Sequence, residues 1–517
     1  MFSFKAAFFA SLIGGASASF PALSTYEPRT NVADHAAISM DQTEIQALVA
    51  FDSEASFDQA ERIYREGGNS RSFAELTLSA ALTQSIQKGD PITGTALDGT
   101  VVAGIAYADY SQGDLTIGLR YPTGQAYLTH VSCRVGALPA SAIDTSQCVE
   151  ESGSVTIDGF NGAVAYTSVV NKNGRTIAGF STSANSKFRF DEDKTSTKDF
   201  YPFFQKFVDY YGTFDFADKI ATAGFDGVDT SLANGNILLS GYSVDARAEI
   251  AKKGTAYINV GLYALREVYD AIDDCVIECG TEQCNDESVH ALDEAVAFYV
   301  GSQYVSDPDG QGNLNYALAE KRAGNFATKE DGTSGQAEVN RLMMLEFNDM
   351  KSKLNAGQCP ESGANAEEMV RLMQIPFIQG TMRYAYLLDN SNDVTSSEKQ
   401  MAEGAIFAAG ILPAVHDCNP ATATIIYDNM KLTPSKASSA DFGEVKRAFE
   451  SVYSCLGVSC AEVGGLVDTA TGTSYFTGAE ACGGVQFGST SGASAISASS
   501  MAVTAIGAVG AIATLFM

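Results

Sequence analysis

The spacing of apolar residues changes three times along the chain. Residues 36–88 read as an N-terminal helical segment, with helical patterns over Asp41–Phe51 and Ser56–Glu66 that close on Gly67-Gly68, where glycine can end a helix. Between 89 and 195 the period falls to two. Val101–Tyr107, Leu115–Tyr121, Ala126–Val131, Val155–Ile157, Ala163–Val170 and Thr176–Phe180 are short alternating or β-branched runs, separated by Asp-Gly, Gln-Gly, Thr-Gly and Asn-Gly turns. Six such runs predict an antiparallel β-domain. Residues 196–250 form a mixed connector whose aromatics, Tyr201 to Tyr211, lie at helical spacing and read as core.

From 251 to 465 the period returns to 3.6. Ile258–Asp273, Ser288–Tyr304, Asn315–Asn325, Gln336–Leu354, Glu367–Asp389, Ser396–His416, Pro420–Met430 and Ser439–Leu456 are each amphipathic, with short breaks between them. The expected fold is α+β and multidomain: an antiparallel β-domain followed by an all-α domain of about eight helices. An internal echo divides those helices into two related half-bundles. Glu294-x3-Phe298-x2-Gly301 recurs as Glu403-x3-Phe407-x2-Gly410, each after a helix with a glycine and an aromatic-rich second half (Gly261…Tyr269-Asp270; Gly380…Tyr384…Asp389).

Both ends read as addresses. Residues 1–19, with Lys5, an apolar run Ala6–Ile13 and Ala16-Ser17-Ala18, form a secretory signal peptide. Residues 466–487 are a tail. Residues 488–517 join small residues to an apolar terminus, the pattern of a GPI-attachment signal with Ser489, Ser491 and Gly492 as attachment candidates; the alternative is a short membrane-spanning helix.

Composition narrows the partners. The 517 residues hold 33 basic and 62 acidic side chains, a net charge of −29, which speaks against a nucleic-acid backbone and in favour of cations. Ten cysteines in an exported chain read as disulfides and not as metal thiolates. Cys133 with Cys148 and Cys455 with Cys460 are close enough for local pairs. The connectivity of Cys275, Cys279, Cys284, Cys359, Cys418 and Cys482 stays open.

Candidate chemistry lies on the echoing helices. His290, Asp293 and Glu294 can offer two or three ligands to one hard or borderline cation such as iron, and a carboxylate inside a bundle needs such a partner or a counter-charge. In the second copy Glu403 keeps the carboxylate, Lys399 stands where His290 would be, and His416 and Asp417 lie beyond; all three acids and imidazoles of this copy are metal candidates. Arg322 and Arg383 are available as charge partners of an inward carboxylate or of an anion. Among enzyme signatures, no Gly-x-Ser-x-Gly elbow, His-Glu-x2-His pair or Walker loop is present, so no catalytic residue is assigned. Asp307 to Gly312 begins like an EF-hand loop, but Leu318 replaces the bidentate acid.

Four blocks carry a family resemblance: His290-Ala-Leu-Asp293-Glu294-Ala-Val-Ala-Phe298-Tyr299-Val-Gly301-Ser302, Leu318-Ala-Glu-Lys-Arg322-Ala-Gly-Asn325-Phe326, Pro376-Phe377-Ile-Gln379-Gly380-Thr-Met-Arg383-Tyr384-Ala-Tyr386 and Ala402-Glu403-Gly404-Ala-Ile-Phe407-Ala-Ala-Gly-Ile-Leu412-Pro413. This region resembles the low-iron-inducible periplasmic proteins, algal iron-assimilation proteins whose diatom relatives are called phytotransferrins. The resemblance implies a non-enzymatic protein of the cell surface or periplasmic space, concerned with iron uptake and binding Fe3+ with an anion such as carbonate. The β-rich segment at 89–195 departs from the family pattern. Two other functions compete with this one: an extracellular interaction or wall-associated protein whose bundle is purely structural, and an imelysin-like bundle peptidase. The last family shows Gly-x-His-x2-Glu, whereas His290-x3-Glu294 has another spacing and no preceding glycine.

Overall fold

A computed structural model describes residues 22–487 except 52, 122–132, 134–145, 191–198, 278, 280–281, 303–311, 391–393, 437 and 439. The signal peptide, the GPI candidates Ser489, Ser491 and Gly492, the run Ala126–Val131 and most of the EF-hand-like loop lie outside the described residues.

The period-two region closes on itself. Strands β1 (Ser72–Leu78), β2 (Pro91–Thr95), β3 (Val101–Ala106), β4 (Thr116–Arg120), β5 (Gly153–Ile157) and β6 (Ala163–Asn173) form a barrel in the order β1-β4-β3-β2-β5-β6, every pair antiparallel. Closure removes the unpaired strand edges that an open sheet would expose. Alternate side chains (Ala74, Leu76 and Leu78 on β1; Ile92 on β2; Val155 and Ile157 on β5) fill the interior. Two expectations change here. β1 lies in the segment read as helical, and Thr176–Phe180, read as a strand, is a helix. The Thr176 hydroxyl accepts the Gly179 N–H at 3.0 Å and caps the turn, and Ile177, Ala178 and Phe180 bury into the helical core and not into the barrel.

The helices share one apolar core. It joins α1 (Ala33–Ala36), α2 (Ile38–Leu48) and α3 (Glu54–Glu66), which precede the barrel, to α4 (Ile177–Thr182), α5 (Ala184–Lys187), α6 (Pro202–Tyr211) and α7 (Phe216–Asp226), which follow it. The mixed connector is therefore mostly helical. α8 (Val244–Lys253) runs through a π-helical stretch, Gly254–Val260, into α9 (Gly261–Asp273). Then come α10 (Asp286–Val300), α11 (Asn315–Phe326), α12 (Glu338–Asn355), α13 (Cys359–Asp389), α14 (Val394–Cys418), α15 (Pro420–Met430), α16 (Phe442–Leu456) and α17 (Cys460–Val463). The α+β layout expected from periodicity is the one observed. No helix among the described residues is long and apolar enough to cross a membrane.

All ten cysteines are bonded: Cys133–Cys148, Cys275–Cys359, Cys279–Cys284, Cys418–Cys455 and Cys460–Cys482. The expected pair Cys455–Cys460 is replaced by two longer links. Gly457, at φ +73°, turns the chain between α16 and α17, so the two cysteines sit on different helices and reach different neighbours.

Candidate metal centre

The site begins with two neighbouring acids on α10 that do different work. Asp293 is fully buried and saturated: it accepts from the Tyr26 hydroxyl (2.6 Å), from the backbone N–H groups of Arg29 (2.9 Å) and Thr30 (2.7 Å), and from the Thr30 hydroxyl (2.8 Å). Burial raises its pKa against these donors. Asp293 thus pins residues 26–30 across α10, and an outer ion pair, Arg29 to Asp286 at 2.7 Å, adds to the clamp. The chain then turns into α1, where Asp34 and His35 are buried.

Glu294, one residue on, points elsewhere. Its Oε1 lies 2.7 Å from His35 Nε2 and 2.9 Å from His290 Nε2, and a ligand atom from each of the three lies within 4.8 Å of the other two. The imidazole rings are 5.6 Å apart, edge to face. Among the described residues no other group of three or more His, Cys, Asp or Glu side chains converges in this way.

Each imidazole is oriented from behind. The Thr30 hydroxyl gives its proton to Asp293, so it accepts from His290 Nδ1 at 2.8 Å and holds His290 Nε2 turned toward Glu294. His35 Nδ1 faces Asp34 Oδ1 at 2.9 Å, an ion-pair contact whose angle falls short of a hydrogen bond. Asp34 is in turn held by Arg120 (2.6 Å) from β4 and by Arg175 (3.4 Å) after β6. Carboxylate or hydroxyl behind imidazole in front of a metal is the outer-shell pattern that fixes the tautomer of a ligating histidine.

The charges reinforce the arrangement. Burial would raise Asp34, but His35, Arg175 and Arg120 outweigh it and hold the carboxyl well below the usual range. Burial likewise opposes ionised Glu294, and His35, His290 and Arg175 hold it well below. His35 is pushed down by burial and by Arg175, yet Glu294 and Asp34 raise it above the ordinary imidazole value. One carboxylate and two imidazoles with room beside them suit iron, zinc or another borderline divalent or trivalent ion. That room is a cleft of about 590 Å³, lined by His290 and Glu294 together with Tyr263 and Phe180.

The other expected ligands are elsewhere. α14 packs on α8, α13 and α15, and its acids find local partners there. Glu403 pairs with Lys253 at 2.8 Å, Asp417 pairs with Lys206 at 2.9 Å, and His416 packs edge-on against Tyr210, 5.3 Å between ring centres. None of them reaches His290. Asp293 stands behind the site and not in it. Arg322 and Arg383 form no ion pair with Glu294 or Glu403; Arg322 lies over the Phe407 ring and Arg383 over Tyr384. His35, Asp34, Thr30 and Arg175 are the residues that sequence reasoning missed. The one available signal was rarity: the chain has four histidines, and His35 carries an acid immediately before it.

The sequence model of the low iron-inducible periplasmic protein family, Fea1, matches residues 191–486, more than half of the chain. The chain belongs to that family, as the four blocks in its helical region anticipated. No match is found among curated proteins or among solved structures. His290 and Glu294 fall inside the matched segment, whereas His35 and the groups behind it come from the N-terminal part that precedes it.

Proposed function

We propose that this protein is an exported, non-catalytic iron-binding protein that serves iron uptake, and that it holds the ion on His35 Nε2, His290 Nε2 and the Glu294 carboxylate. The observation that carries the reading is the convergence of these three groups, each imidazole aimed by a separate group behind it. Three protein ligands leave about three positions of an octahedral ion open to the cleft. For Fe3+, a hard ion, oxygen donors from an anion such as carbonate would fill them, and Arg175, which lines the cleft beside Glu294, is the counter-charge for that anion. The family's description as low iron-inducible and periplasmic supports a role outside the cell membrane, with residues 488–517 as the attachment signal to the surface. The five disulfides fit that compartment.

Equilibrium dialysis of the purified secreted protein against Fe3+ with bicarbonate tests this. One equivalent of iron bound saturably, and lost in Glu294→Ala, is the expected outcome; no saturable binding overturns it. A second reading has its own observation: Glu294 satisfies both imidazoles as ion pairs with no metal required, which a structural cluster would also do. On that reading Glu294→Ala lowers the melting temperature and leaves any metal uptake unchanged.

A further inference from the structure

The cleft is larger than an ion and a carbonate need. Liquid water takes about 30 Å³ per molecule, so the volume of about 590 Å³ is that of a small-molecule site. Its lining is mixed in charge: acids of α9 and α10, among them Asp270, Glu287 and Glu294, share it with Arg71 before β1, Arg175 after β6 and Lys187 at the end of α5.

Among the described residues Arg71 and Lys187 are the lining cations that make no ion pair, and Arg175 shares one with Asp34. Arg266 also lines the cleft, but it is engaged by Glu267 beside it and by Asp270 at 2.8 Å. Among the described residues Lys187 meets a phenol, donating to the Tyr263 hydroxyl at 3.3 Å. Arg175 is shared, with Asp34 at 3.4 Å and the Ser70 hydroxyl at 3.2 Å. Arg71 lies over the Tyr107 ring, and its buried Nε has no hydrogen-bond partner. It also sits at φ +56°, a left-handed conformation that is strained for an L residue with a long side chain. Strain and an unpaired guanidinium nitrogen coincide at a residue lining the cleft. Such a cation asks for an anion, and with Arg175 and Lys187 in the same lining the anion that fits carries several carboxylates.

Resting on the iron-site reading above, we infer that the cleft takes iron as its complex with a small organic polycarboxylate, the metal on His35, His290 and Glu294 and the free carboxylates on Arg71, Arg175 and Lys187. The ligand enters with the ion and supplies the oxygen donors that the protein lacks. Burial, then Arg266 and Arg175, lower the Lys187 pKa against the opposing pull of Glu267 and Glu294.

The test uses the full secreted chain in equilibrium dialysis with radioiron and carbon-14 citrate, against a parallel arm with radioiron and bicarbonate and no citrate. The inference expects iron and citrate to be retained together in fixed proportion. It also expects Arg71→Gln and Lys187→Gln to lower retention of the chelate at least tenfold more than retention of iron from bicarbonate. Iron retained while the carbon label stays in the dialysate overturns the inference and leaves the iron site standing. Citrate retained equally without iron also overturns it. Iron retained in neither arm overturns the iron site itself. Because Arg71 is strained, Arg71→Gly is the control for folding: it should melt no lower than the parent and still lose the chelate.

Discussion

Glu294 and Glu403 occupy matching positions on two echoing helices, and the protein uses them in opposite ways. Each is followed by a phenylalanine four residues on, and each phenylalanine has an arginine over its ring, Arg175 at 5.8 Å from Phe298 and Arg322 at 5.6 Å from Phe407. The carboxylates differ in what approaches them. Glu403 meets the ammonium of Lys253, which also faces Glu249; burial would lower that ammonium, and the two acids raise it instead. A lysine held charged is a closed ion pair with no lone pair to offer a metal. Glu294 meets two imidazoles, which can exchange a proton for a metal. The glycines diverge too: Gly301 ends α10 at φ +79°, tight against Ser39, while Gly410 lies inside α14, where the Phe377 ring leaves no space for a Cβ. The two echoing helices thus present one carboxylate closed by a lysine and one faced by two imidazoles beside a cleft. The difference is made by a segment outside the repeat: residues 26–35, clamped by Asp293, deliver His35 to the first copy.

The largest expected effect separates the two acids. Glu294→Gln should weaken iron binding by about 100-fold or more, the loss of a charged ligand, while Glu403→Gln leaves the isotherm unchanged. Equal losses in both variants would dissolve the comparison. Next, Thr30→Val removes the acceptor behind His290 without touching a ligand. It should cost about 10- to 100-fold in metal affinity, read by competition with a chelator, with the circular-dichroism spectrum unaltered.

The third test is pH. At the proposed site a metal would need neutral His35, and Glu294 and Asp34, against burial and Arg175, raise that imidazole above its ordinary value in the free protein. Protonation therefore competes with iron over a range that begins above pH 6.5. Affinity should fall by up to about tenfold per pH unit as pH drops below the His35 pKa. His35→Ala should bind weakly with a shallower slope, whereas Glu403→Gln keeps the parent slope. Last, Glu403→Gln should lower unfolding free energy by about 1–2 kcal/mol in denaturant titration. That is less than the ~3–5 kcal/mol of an orphaned buried charge, since Glu249 still faces Lys253.

Much of the helical part was legible because the 3.6 period depends on local order alone. Ile258–Asp273, Gln336–Leu354 and Pro420–Met430 fall on observed helices to within a few residues. Glu294 was legible for a related reason, since its echo at Glu403 marked an inward carboxylate. His35 was not, because what brings it to Glu294 is a tertiary approach set by Asp293 and Tyr26, which no spacing encodes. β1 escaped for a local reason. Ser72-Phe-Ala-Glu-Leu-Thr-Leu alternates, but it follows directly on a helix that ends at Gly67. Cys455 and Cys460 misled because short separation favours a local bridge only where one element carries both, and here Gly457 separates two helices.

The most direct test is anomalous diffraction at the iron edge from crystals of the iron-loaded protein. One strong peak bounded by His35 Nε2, His290 Nε2 and the Glu294 carboxylate, on the cleft side, is the expected result. A peak beside Glu403 or His416, or iron bound in solution with no peak at the triad, would contradict it.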